Sequence, residues 1–234
     1  MNEEAVKATA EAVKATAELG CKTIDAGKSV GTILKAPLTE LAGAWEDSVK
    51  AWRFQRRVRM LKRTQKFLEE EGITTISPDL PPSFLLPLLE RGEIQEDDDL
   101  QDIYARLLAN AANPANGAEP RAAYVEILSQ MTALDAQNLQ TLAEAQFRHR
   151  GKTPTALIST CDLPKSAEPY DEPSDYDPVT ETTVAVSVSN LARLGLLEPA
   201  SSTFGGKPLY QYVSITPLGM DFYWACSCPR TAQN

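Results

Sequence analysis

The chain is expected to be mainly α, a helical N-terminal and central region followed by a small α+β module at the C-terminal end. Three observations lead there. The stretch EDDDLQDIYARLLANAANP at 96–114 sets Leu100, Ile103, Tyr104, Leu107, Leu108 and Ala111 on one continuous helical stripe. The opening residues carry a seven-residue period, which belongs to a helix seam rather than a strand. A strand-like run at 209–215 comes late, between a Gly205-Gly206 loop and another apolar helix.

Taking the elements in order, EAVKATA at 4–10 recurs verbatim at 11–17. Val6 and Val13 share one heptad position, and Ala10, Ala17 and Ile24 another, which defines a seam for a left-handed supercoil. Its side chains are small, so a partner helix from this chain or a second copy must approach closely. Residues 1–37 are read as this heptad segment, and Val6, Ala10, Val13, Ala17 and Ile24 as its oligomerisation face.

Residues 38–131 are read as a helical core. Its first helix runs from about 38 to 71 and ends at Gly72, the usual position for a residue just past a helix. A turn-rich link holding Ser77-Pro78 and Pro81-Pro82 follows, then a short apolar helix beginning at Phe84. In the acidic helix after it, Asp97, Asp98 and Asp99 crowd the first turn, where the helix dipole favours negative charge, and Asn113-Pro114 stops it. An exposed loop at 113–120 leads to a helix over 121–131.

Residues 132–234 form the third unit. Thr132 and Asp135 make a variant capping box for a helix reaching about Arg148. The acidic, Pro-rich stretch 161–177 is expected to be a solvated loop. A helix over 180–194 leads into LARLGLLEP, the hairpin and TPLGMDFYWAC. The order helix, hairpin, helix, with Leu194-Gly195-Leu196-Leu197 and the spacing Tyr212-x-x-x-Thr216-x-x-Gly219, resembles a winged-helix domain.

Apolar content of 43% and charged content of 24% over 234 residues are those of an ordinary globular protein. The four cysteines do not form a disulfide framework at this length, and Lys7, Glu11, Lys14 and Glu18 interrupt any leader-like apolar stretch. No run approaches the roughly 20 apolar residues of a spanning helix. The expected setting is the cytoplasm, with the surface of the inner membrane within reach of a basic helix.

The net charge of −9 is unevenly spread: residues 1–66 hold 13 Lys and Arg against 8 Asp and Glu, a net of +5, and the rest hold 10 against 24, a net of −14. Eight of those 13 bases lie in one helical phase at Lys50, Arg53, Arg56, Arg57, Arg59, Lys62, Arg63 and Lys66, beside Trp45 and Trp52. Three readings stay open. The run could pair with the protein's own acids at Asp97–Asp99 and Asp102, dock on anionic lipid as an amphipathic interfacial helix, or follow a phosphate backbone. These ten residues are the expected membrane- or partner-binding surface.

Nucleic acid is the less favoured partner. The helix that a winged-helix module would offer to DNA brings Asn190 and Arg193 beside Glu181, and five acids precede it. Catalysis has little to work with. His149 sits between two arginines at a helix end, and Cys226 with Cys228 lacks further ligands. Asp97, Asp98, Asp99 and Asp102 could hold a divalent cation, but their spacing is that of helix N-terminal acids. No enzyme activity, cofactor or metal is expected.

GAWEDSVKAWRFQRRVRMLKR at 43–63, the 100–110 helix, Leu128 with Leu134, LARLGLL and TPLG together resemble the abortive infection alpha family of bacterial phage-defence proteins. The resemblance implies a defence role in which infected cells stop growing, and it carries no catalytic residues. The expected function is a non-enzymatic defence protein acting through membrane or protein-partner contact as a homo-oligomer or with another protein. A winged-helix regulator that binds nucleic acid is the alternative.

Overall fold

The structure is a computed structural model and describes residues 48–73, 80–116, 120–148, 157–170, 181–201 and 208–227. The heptad seam at Val6, Ala10, Val13, Ala17 and Ile24 lies outside the described residues, as do Trp45, His149 and Cys228.

Seven α-helices and four strands are described: α1 (Ser48–Glu70), α2 (Pro82–Ile94), α3 (Asp98–Ala112), α4 (Ala122–Ser129), α5 (Ala133–Arg148), β1 (Leu157–Ser159), β2 (Pro169–Tyr170), α6 (Thr182–Arg193), β3 (Leu197–Ser201), β4 (Pro208–Ile215) and α7 (Pro217–Cys226). The protein is thus mainly α with a small α+β region at its C-terminal end. The sheet is antiparallel throughout, in the order β2-β1-β4-β3.

Helix α3 is the axle of the fold. It packs against α1, α2, α5 and α7, and its stripe residues Leu100, Tyr104, Leu107 and Leu108 are all buried. One apolar cluster runs without a break from Met60 and Phe67 of α1 through α3 to Val188, Leu191, Val213 and Phe222. Burying side chains of this size contributes about 1.5–3 kcal/mol each, which is what joins the helical part to the α+β part.

The helix ends follow local chemistry. α1 has no Gly or Pro and stops at Gly72, whose φ is +65°. The Ile73 amide donates to the Leu68 carbonyl at 2.8 Å and the Gly72 amide to Glu69 at 3.1 Å, closing the helix on a left-handed residue. Asp97 is the N-cap of α3 and accepts from the Leu100 amide at 2.9 Å. Thr132 and Asp135 exchange backbone-to-side-chain bonds at 2.8 and 3.2 Å, the expected reciprocal cap.

Two expectations need correction. The helix placed at Phe84 starts at Pro82, because a proline at the first helical position gives up only an amide that has no partner there anyway. The stretch 161–177 is not a solvated loop throughout. Leu163 and Ala167 are buried, and Pro169–Tyr170 adds the edge strand. Acid and proline content masked two apolar anchors. Residues 171–177 lie outside the described ones.

Candidate interaction surfaces

The basic helix faces two acid-bearing helices. Arg53 and Arg57, one turn apart on α1, converge on Glu93 of α2, whose side chain is 5% exposed. Arg56 reaches Asp98 and the Gln95 carbonyl. Arg59 bridges Asp98 at 3.5 Å and Asp102 at 2.9 Å, and Arg63 also takes Asp102. Farther along, Arg106 pairs with Glu71 and stacks over the Phe67 ring at 3.6 Å, with Arg63 over the same ring. The arginine period of α1 is therefore matched by acids on the helix N-terminus and the turn it packs against.

Electrostatics follow this geometry. The hydrogen bond from Arg56 holds the Asp98 carboxyl below the usual carboxylate range, opposed by desolvation and aided by the charge of Arg59. The hydrogen bond to Asp102 raises the Arg63 guanidinium further above its ordinary value. At the centre of the ladder lies Gln101, fully buried. Its amide donates to the Arg56 and Gly92 carbonyls at 3.0 and 2.8 Å, and its oxygen accepts from Arg59 at 2.9 Å. Nothing in the sequence marks Gln101, because a glutamine on the edge of an apolar stripe reads as surface.

The outward side of α1 is different. Val49, Lys50, Trp52 and Lys62 are exposed, and Lys66 pairs with Glu70 one turn on. Lys50 and Lys62 have no carboxylate partner among the described residues. Of the ten residues expected to bind a membrane or a partner, the structure thus turns Arg56, Arg57, Arg59 and Arg63 inward, holds the half-exposed Arg53 on Glu93, and leaves Lys50, Trp52, Lys62 and Lys66 facing out.

The α+β part offers a second surface. α6 shows Thr182, Thr183, Val186 and Arg193 to solvent, and Val186 is 65% exposed. Between α6 and the β3–β4 hairpin opens a groove of about 630 Å³ lined by Val186, Ala192, Arg193, Pro199 and Tyr210 among others. The inner side of α6 is tied to α5 by buried polar contacts, including the Asn138 amide donating to the Ser187 hydroxyl at 2.9 Å.

Two further groups have titration shifted by their packed surroundings. Tyr124 donates to Asp221, and its phenol is pushed up by burial and by that bond. Burial alone pushes up the Cys226 thiol, at the end of α7. Among the described residues no group of three or more His, Cys, Asp or Glu stands where a metal ion could sit. No described helix is long and apolar enough to cross a membrane.

Compared with known proteins, residues 53–226 match the model of the family described as abortive infection alpha. No curated protein and no solved structure matches the chain. The matched span begins inside α1 and ends at the last residue of α7, so it takes in the arginine ladder and the groove together.

Proposed function

The chain belongs to the abortive infection alpha family, and on that premise we propose that it is a non-enzymatic phage-defence protein that acts by contact with a partner protein. The supporting observation is the use made of the basic helix. Arg53, Arg56, Arg57, Arg59 and Arg63 are each committed to Glu93, Asp98 or Asp102. A guanidinium whose charge is already matched by a carboxylate gains less from a lipid headgroup or a phosphate chain.

Magnitudes favour the same reading. Each basic residue near an anionic surface contributes about 1 kcal/mol, so two free lysines on α1 supply only about 2 kcal/mol toward lipid. We read the order α5, β1, α6, β3, β4 as a winged-helix-like module whose exposed α6 face meets protein. Glu181 at the start of α6 and Glu198 on β3 are exposed and add negative charge to these elements, which disfavours phosphate. The non-enzymatic reading is supported by the structural employment of the acids: Glu71, Glu93, Asp98 and Asp102 hold arginines, and Asp97 and Asp135 cap helices.

The test replaces Arg56, Arg57, Arg59 and Arg63 by Gln and follows two readouts on purified protein. The ladder reading expects a clearly lower melting temperature, with parent and variant alike failing to sediment with anionic phosphatidylglycerol vesicles. Parent protein that sediments with those vesicles, paired with a variant that melts normally and stays in solution, would restore the membrane reading.

A further inference from the structure

We infer that the groove between α6 and the β3–β4 hairpin is a binding site for an acidic–apolar peptide segment of a partner protein, with Arg193 taking the carboxylate. This rests on the partner-contact reading above and adds the place and the chemistry.

Arg193 is unlike the arginines of α1. Its Nε and Nη2 donate to Asn190 Oδ1 at 3.1 and 2.8 Å, and its Nη1 donates to Gln130 Oε1 at 3.1 Å. All three acceptors are neutral amide oxygens, and no carboxylate pairs with it among the described residues. The orienting residue is itself fixed: Asn190 Nδ2 donates to the Gln130 carbonyl and to Asp135 Oδ2, both at 3.0 Å, and Asp135 is 2% exposed. A guanidinium has five N–H donors, so one remains on each terminal nitrogen, a pair that suits the two oxygens of a carboxylate. Its orientation is set before any ligand arrives, which lowers the entropic cost of binding.

The groove beside it is open and more apolar than polar, with Ser189 and Asn190 also in its lining. Val186 is the most exposed large hydrophobic residue described, and it lines the groove with Ala192, Pro199 and Tyr210. At about 630 Å³ the space holds a few side chains of a peptide. A phosphate backbone fits poorly, since among the described residues the groove is lined by one cation, Arg193, and the exposed Glu181 and Glu198 stand on the elements that form it. A leucine or phenylalanine next to an aspartate or glutamate fits on both counts: apolar surface for the groove, negative charge for Arg193.

The probes are fluorescein-labelled ten-residue peptides alternating Asp or Glu with Leu or Phe, a matched set with Asn or Gln in place of the acids, and a labelled DNA duplex. Binding to the full chain is read by anisotropy at low and high salt. The acidic peptides should bind, more weakly as salt rises, and the amide set should not. Arg193→Gln should weaken binding about tenfold or more, the scale of one lost charge-assisted pair. Val186→Asp should do the same by charge and lost apolar contact, and both variants should melt like the parent because both side chains are exposed. Equal binding of acidic peptides by parent and Arg193→Gln, failure of every peptide, or duplex binding that depends on Arg193 would each overturn the site. Photo-crosslinking in infected cells separates the two levels. If Arg193→Gln protein still crosslinks to the same partner, this site is wrong and the partner reading stands; if the parent crosslinks to no protein, the partner reading itself has failed.

Discussion

The hydroxyl of Thr216 donates to the carbonyl of Gly195 at 2.6 Å, joining the turn after α6 to the start of α7. The same hydroxyl caps α7 by accepting from the Gly219 amide at 2.8 Å. Gly195 is left-handed, with φ +77°, and the Leu196 amide returns to the Leu191 carbonyl across it at 3.0 Å. The LARLGLL and TPLG words of the sequence are thus the two halves of one joint.

Gly219 makes the joint tight. A Cβ there would lie 2.1 Å from the Leu196 carbonyl oxygen, which is backbone and cannot swing away. Gly219→Ala should cost about 3 kcal/mol in urea unfolding, at the upper end of overpacking effects. A cost below about 1 kcal/mol would mean that α7 can shift freely against β3.

Asn110 clamps the far end of α7. Its amide donates to the carbonyls of Trp224, Ala225 and Ser227 at 3.4, 2.9 and 2.8 Å. Asn110→Leu strips those terminal carbonyls of a shared donor and should destabilise the fold by about 1–3 kcal/mol. Hydrogen exchange should quicken in α7 before it does in α4.

Glu93 carries two arginines in a nearly closed site. Glu93→Gln leaves Arg57, 17% exposed, without its counter-charge. Loss of one member of a buried pair costs about 3–5 kcal/mol, and the 44% exposure of Arg53 reduces this to about 2 kcal/mol at moderate salt. The loss should be read as a shift in the midpoint of denaturant unfolding with the slope unchanged.

Much of this was legible in the residues. The stripe of α3, the Thr132–Asp135 cap, the stop at Gly72 and the order of the C-terminal elements all come from local chemistry, and local chemistry is what a sequence displays. The bases of α1 and the acids of α3 were visible as separate runs. That Arg56, Arg59 and Arg63 would meet Asp98 and Asp102 was one of three open readings, because pairing across some 40 positions depends on how two helices dock. Glu93, Gln101 and Asn110 were not singled out at all: a buried polar residue looks like a surface one until its partners are known. In the sequence Arg193 stands out only, with Asn190, as one of the two residues this helix could offer DNA; its orientation is hidden, since the roles of Asn190 and Gln130 depend on how α6 packs against α5 and the turn before it.

The Asp98 pair should show in the acid limb of stability. A carboxyl held below its ordinary value stabilises the fold fully above the unfolded value near 4, and this contribution is lost as pH falls through the lowered folded value. The advantage of parent over Asp98→Asn should therefore be constant from about pH 5 to 8 and shrink below about pH 4. The effect should be small, since the Asp98 side chain is 62% exposed, and smaller still at high salt. An advantage that grows on acidification would contradict the pairing.

Photo-crosslinking and fractionation of cells before and during phage infection test the central claim most directly. The account predicts that the protein stays out of the membrane pellet, crosslinks to a discrete partner protein, and loses that crosslink together with protection when Val186 is replaced by Asp. Recovery of the protein with membrane lipid or nucleic acid, with protection intact and no protein crosslink formed, would contradict it.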